Sequence, residues 1–130
     1  MKVLVLLDTH AFIWWDSDPT QLSKDIVKFL LQPDTVKFVS VVSLWEIQIK
    51  SQLGKLTLNR PLEKIYQSQS KNGISFLAVN PSHVLRLGAL PLHHKDPFDR
   101  LLIAQAMAEG LTILTRDKIF NLYGVPLLSI

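Results

Sequence analysis

Four carboxylates stand where acids could act together. Asp8 follows the apolar run Lys2–Leu7, and Glu46 belongs to Ser43-x-x-Glu46. Asp99 lies three residues after Asp96-Pro97, and Asp117 follows Leu111–Leu114 through Thr115-Arg116. Each has an ordinary structural use. Asp8 can cap a helix, and Asp117 can cap a turn. Ser43 with Glu46 reads as a capping box, and Asp99 answers a helix dipole. Taken singly, those uses are the stronger readings. Gathered in one place, the four would repel by roughly 3 kcal/mol per pair at ~5 Å and an effective dielectric of about 20. They would then need cations. Oxygen donors with no cysteine or histidine pattern suit Mg²⁺, or Mn²⁺. Such ions can clamp the attacking and leaving oxygens of an in-line displacement at phosphorus.

Convergence depends on the elements that carry these acids. Lys2–Leu7 is an apolar run rich in Val and Leu and reads as a central parallel strand. Ala11–Trp15 reads as a short helix, and Ser23 to about Leu31 as a second. Val36–Val39 is predicted as a strand, followed by a helix opened by Ser43 and ended by Gly54. Pro61 to about Ser70 is helical, Ile74–Val79 a strand, and Asn80-Pro81 starts a short helix to about Leu87. Leu90–Lys95 is a loop. In the next helix Asp96 is the cap, Pro97 the first residue and Gly110 the stop. Leu111–Leu114 is a strand, Ile119–Leu122 a helical turn, and Leu127–Ile130 a short last strand. Alternating strands and helices predict an α/β fold with a mostly parallel sheet of about 4–5 strands, covered on both faces. Ligands of such sheets bind beyond the carboxyl ends of the strands. That rule puts Asp8, Glu46, Asp99 and Asp117 on one edge.

Composition narrows the choices. Residues 1–130 read as one domain, with 48% hydrophobic and 19% charged residues. The absence of cysteine excludes disulfides, thiolate metal sites and cysteine nucleophiles. Asp8 interrupts the first apolar run too early for a secretory or membrane segment, so a cytoplasmic protein without membrane contact is expected. The net charge of +3 is modest support for a polyanionic partner.

With these residues in view, LLDTHAFIWW (Leu6–Trp15), SLWEIQIK (Ser43–Lys50), DPFDRLLIAQA (Asp96–Ala106), LTRD (Leu114–Asp117) with Ile119-Phe120, and YGVPLL (Tyr123–Leu128) resemble PIN-domain nucleases. Within that family the chain is most similar to the VapC-type toxins of toxin–antitoxin pairs. The resemblance implies a three-layer α/β/α PIN-like fold and Mg²⁺-dependent hydrolysis of single-stranded RNA by metal-activated water, leaving a 5′-phosphate. It implies Asp8, Glu46, Asp99 and Asp117 as the acidic quartet, a cognate antitoxin and a homodimer. Thr9 and His10 stand where some members carry further acids or an asparagine.

Other residues are candidates for lesser roles. Hydroxyls of Thr9, Ser43 and Thr115 could orient the acids or hold waters. Lys95, Arg100, Arg116 and His94 are candidate phosphate contacts, with His93 and Lys50; for Lys50 an ordinary solvated charge is the better reading. As a metal pair, His93-His94 is a weak pattern, and loop surface is expected. Asp96 is read as a cap, with peripheral metal support as the lesser option. Of Trp14 and Trp15, one is a candidate dimer or antitoxin contact. The competing functional reading is a catalytically inert PIN-like module that binds RNA or protein. A phosphoacceptor domain fits poorly, because Val79-Asn80 follows the third strand. An aspartyl phosphatase lacks its second aspartate at His10.

Overall fold

The computed structural model describes all residues, 1–130. Strands β1 (Val3–Leu7), β2 (Thr35–Ser40), β3 (Ile74–Leu77), β4 (Thr112–Thr115) and β5 (Leu127–Ser129) form one sheet in the order β3-β2-β1-β4-β5. Every neighbouring pair is parallel. The helices are α1 (Thr9–Ser17), α2 (Lys24–Leu30), α3 (Val41–Gln52), α4 (Leu62–Lys71), α5 (Pro81–Arg86) and α6 (Pro97–Glu109). Short 3-10 turns cover Pro19–Gln21, Leu87–Ala89 and Lys118–Tyr123.

Successive side chains of a strand point to opposite faces, and β1 shows the consequence. Leu6 joins one core with Ile113, Leu102, Ile103 and Phe120. Val5 and Leu7 join the other with Phe12, Leu30, Ile47, Ile65 and Leu114. The sheet therefore has a helical layer on each side, which explains why the first run is apolar without alternation.

Register fixes the functional edge. Leu7 pairs with Val39 on one side and with Leu114 on the other. The next residues of those strands, Asp8, Ser40 and Thr115, are thereby brought to one row. The Asp8 N–H donates to Leu114 O at 3.1 Å, extending the ladder by one rung.

Element boundaries depart from the expected ones where a partner is lost or a nearer cap is found. β3 stops at Leu77 rather than Val79, because Leu77 pairs with Ser40, the last residue of β2. α3 starts at Val41, capped by the Ser40 side chain on the Val42 N–H at 3.1 Å. Ser43-x-x-Glu46 is thus not a capping box. Glu46 lies in the second turn, not the first. α1 begins at Thr9, directly after its cap Asp8, and is longer than expected. β4 is displaced by one residue, to Thr112–Thr115. Asp96 caps α6, accepting from the Phe98 and Asp99 N–H groups at 2.8 and 3.1 Å. Gly110 closes that helix at φ 69°, a backbone position that suits glycine.

The Asp96 cap has a measurable weight. Asp96→Ala is expected to lower unfolding stability by about 1 kcal/mol in urea titration, the usual cost of a lost N-cap. An unchanged midpoint would remove the capping role.

Candidate active site at the carboxyl edge of the sheet

Asp8 is 6% exposed. Its Oδ1 accepts the Ala11 N–H at 2.8 Å, and its Oδ2 accepts the Thr115 hydroxyl at 2.6 Å. Burial raises its pKa above the ordinary carboxylate value, against the lowering effect of the Thr115 hydrogen bond. The cap role and a place in the site are thus not alternatives. One oxygen caps α1 and the other crosses to β4.

Glu46 lies one layer deeper, 3% exposed. Thr9 donates its hydroxyl to Glu46 Oε1 at 2.7 Å, and Ser43 Oγ lies 3.0 Å from the same Thr9 oxygen. Lys50 Nζ is 2.8 Å from Glu46 Oε2. That hydrogen bond raises the Lys50 pKa. Lys50 is therefore not a free solvated charge. One turn after Glu46, it is the counter-ion of the buried acid.

Asp99 and Asp117 approach each other from the start of α6 and the end of β4. His94 joins them. Its Nε2 is 2.8 Å from Asp117 Oδ2 and 3.1 Å from Asp99 Oδ2. The ring is held by the Asp96 N–H donating to Nδ1 at 3.1 Å and by Phe120, edge-on at 5.6 Å between centroids. The His94 N–H donates to the Tyr123 hydroxyl at 2.8 Å. Because Nδ1 accepts, neutral His94 carries its proton on Nε2, facing the two carboxylates. The expectation of a surface histidine is corrected: only 11% of its side chain is exposed. Nothing in the local sequence announces this, since Phe120 and Tyr123 reach the loop only after folding.

Asp99 is the most perturbed of the group. Burial first, then the charges of Asp96 and Glu46, raise its pKa to about 7, although His94 pulls the other way. A carboxyl so poised is half protonated near neutrality unless a cation joins it. Ligand atoms of His94, Asp99 and Asp117 lie within 4.8 Å of one another, close enough to hold one metal ion. This donor set of carboxylates with one imidazole fits a divalent cation. Asp99 and Asp117 supply oxygen donors of the expected kind, and the His94 imidazole lies beside them.

A cleft of about 230 Å³ opens over the group, lined by Asp8, His10, Trp14, Asp99, Arg116 and Asp117. Glu46 does not line it, but its charge acts on Asp99 and Asp8, raising the pKa of both. Three of the four expected acids are therefore walls of one cleft, and the fourth supports them from below.

The PIN domain family model matches residues 5–125 of the chain. The chain belongs to the PIN domain family. It is 28% identical over 115 residues to the curated protein Ribonuclease VapC22 of Mycobacterium tuberculosis, covering 88% of this chain and 87% of that one. Its fold is similar to that of VapBC2 from Rickettsia felis bound to a promoter DNA fragment, with a TM-score of 0.72, 14% identity and 98% of each chain covered. DNA-bound VapBC from Salmonella typhimurium gives a TM-score of 0.71 at 15% identity, again over 98% of each chain. VapBC-1 from nontypeable Haemophilus influenzae gives 0.65 at 16% identity, over 98% of each.

The remaining candidates in this PIN chain fall into different places. Arg100 is spent on structure: its guanidinium donates to Pro91 O at 2.8 Å and Leu87 O at 3.3 Å, tying the loop before α6 to that helix. Lys95 and His93 are exposed on that loop, and His93 meets Tyr123 edge-on at 5.2 Å. Arg116 stands in the cleft, 4.4 Å above the Trp14 ring. Trp14 and Trp15 are both half-buried; Lys37 lies 5.7 Å from the Trp15 ring and Arg116 lies over Trp14. The exposed tryptophan is Trp45, 58% exposed and edge-on to Phe98. No helix is long and apolar enough to cross a membrane.

Proposed function

We propose that this PIN protein is a divalent-metal-dependent endoribonuclease, the toxin of a toxin–antitoxin pair, cutting single-stranded RNA to leave a 5′-phosphate. The observation that carries the reading is the cleft itself. Asp8, Asp99 and Asp117 converge there from three elements, and burial with like charge holds Asp99 up to about 7. A fold has no stability reason to gather those groups, and a bound cation supplies one. The likeness to a protein named a ribonuclease and the fold shared with VapBC complexes support the same reading.

Asp99, Asp117 and Asp8 would hold the metal, with His94, its Nε2–H facing them, as the hydrogen-bond donor that aligns Asp99 and Asp117. The bound ion, Mg²⁺ or Mn²⁺, supplies Lewis-acid activation of water and neutralises phosphate charge. Thr115 fixes Asp8, Thr9 fixes Glu46, and Lys50 pairs with Glu46 from the next turn of its helix. Glu46 contributes negative potential that favours the cation. The protein is further proposed to work in the cytoplasm, as a homodimer, and to be silenced by a cognate antitoxin.

The test is cleavage of a panel of single-stranded RNAs. Cutting is expected with Mg²⁺ or Mn²⁺, lost on EDTA and restored by excess metal. Saturable metal binding without any cutting would instead identify an inert binding module.

A further inference from the structure

We propose that Arg116, laid on the face of Trp14, is the residue that grips the RNA phosphate in this cleft, and that Trp14 is its positioning residue. The inference rests on the nuclease reading above and names a binding group within it. Arg116 lies between two fixed neighbours. Thr115 is hydrogen-bonded to Asp8, and Asp117 to His94. Its guanidinium carbon is 4.4 Å from the centre of the Trp14 ring, and the His10 ring lies tilted to that indole at 5.8 Å between centroids.

Three observations converge on a phosphate. First, Arg116 lines the cleft beside Asp8, Asp99 and Asp117 yet makes no ion pair within 4.0 Å; the bridges of this chain engage Lys50, Arg60, His83 and His94. An exposed arginine among aspartates would ordinarily collapse onto one of them. Stacking on the indole holds it off. Second, a guanidinium carries planar N–H donors, the fork that matches a phosphate in two hydrogen bonds, and one lying over an indole ring leaves those donors uncommitted. Cation–π attraction also limits its rotamers before any ligand arrives. Third, two other cations around the site are committed. Lys50 serves Glu46, and Arg100 serves backbone carbonyls. A phosphodiester entering this acid-walled cleft therefore meets Arg116 as the free cationic side chain among its lining residues.

The experiment measures binding of a single-stranded RNA oligonucleotide to the protein loaded with Ca²⁺ in place of Mg²⁺, over a range of salt. Arg116→Gln is expected to weaken binding about tenfold and to lower the salt slope by about 0.7, the share of one phosphate contact on a single strand. Arg116→Lys should keep the slope but not the affinity, since an ammonium has no planar face to stack. Trp14→Leu should leave the slope intact and weaken binding roughly threefold, whereas Trp14→Tyr, which retains an aromatic face, should recover it. Calorimetric Mn²⁺ affinity should stay within about twofold in all four. Arg116→Gln with unchanged affinity and slope, beside an unsubstituted protein that cuts RNA, overturns the phosphate role and leaves the nuclease reading standing. Equal binding by Trp14→Leu and the unsubstituted protein overturns the positioning role. An unsubstituted protein that cuts no RNA with either metal defeats the nuclease reading, and this inference with it.

Discussion

Asp99→Asn is expected to reduce metal-dependent RNA cleavage by roughly a thousandfold, about 4 kcal/mol of transition-state stabilisation, while making the metal-free protein more stable at pH 8. The two effects share a cause. The Asp99 carboxyl has a folded-state pKa of about 7 against an ordinary 3.8, mainly because it is buried and secondarily because Asp96 and Glu46 are negative. An acid whose pKa is raised by folding binds its proton more tightly in the native state. Its contribution to stability is therefore complete below about pH 4 and is lost as pH rises through 7. The loss is on the order of 2–4 kcal/mol, reduced by the partial solvent access of the side chain. Asparagine cannot ionise, so the variant should lack this slope. Added Mg²⁺ should raise the melting temperature of the unsubstituted protein more at pH 8 than at pH 5.5, and the variant should lose most of that response. Thermal melts across pH, with and without metal, beside single-turnover cleavage, are the measurements. A variant that keeps full activity, or a metal-free protein whose stability rises from pH 5 to 8, contradicts the assignment.

How far the sequence discloses this site depends on whether a residue's role is local. Asp96 before Pro97 and Gly110 after the last turn are legible because caps are decided by neighbours within three residues. The parallel sheet is legible because strands buried on both faces require continuous apolar runs, and the alternating helices require crossovers. The edge location of Asp8 and Asp117 follows from that topology alone. Glu46 is misplaced in the sequence reading because Ser43-x-x-Glu46 imitates a cap motif. The real cap is Ser40, where β2 runs out of partner. His94 is invisible for a different reason. Its ring is aimed by Phe120 and the Asp96 backbone, its own backbone N–H is tied to the Tyr123 hydroxyl, and Phe120 and Tyr123 lie more than twenty residues away. Lys50 is hidden in the same way, since only the folded chain shows that it is already paired with Glu46.

Asp8 separates fold from chemistry most sharply, because it serves both. Replacing it with alanine removes the acceptor for the Ala11 N–H at the start of α1 and strands the Thr115 hydroxyl across the sheet edge. The lost cap costs about 1 kcal/mol, and an unpaired buried hydroxyl adds about 1–3. Asp8→Ala should therefore melt several degrees lower, at roughly 3–6 °C per kcal/mol for a chain of this length. Asp8→Asn behaves differently. Its amide oxygen can still cap Ala11, and its NH₂ can donate to the second lone pair of Thr115 Oγ1, which already accepts the Asp117 N–H. The variant also sheds a buried carboxylate whose ionised form burial disfavours. It should melt at or above the temperature of the unsubstituted protein without metal. Cleavage should fall by roughly a thousandfold in both, since neither offers an anionic oxygen to the cation. Equal melting temperatures for the alanine and asparagine variants would dispose of the capping role. An active Asp8→Asn would dispose of the metal role and leave Asp8 as a structural hinge between β1, α1 and β4.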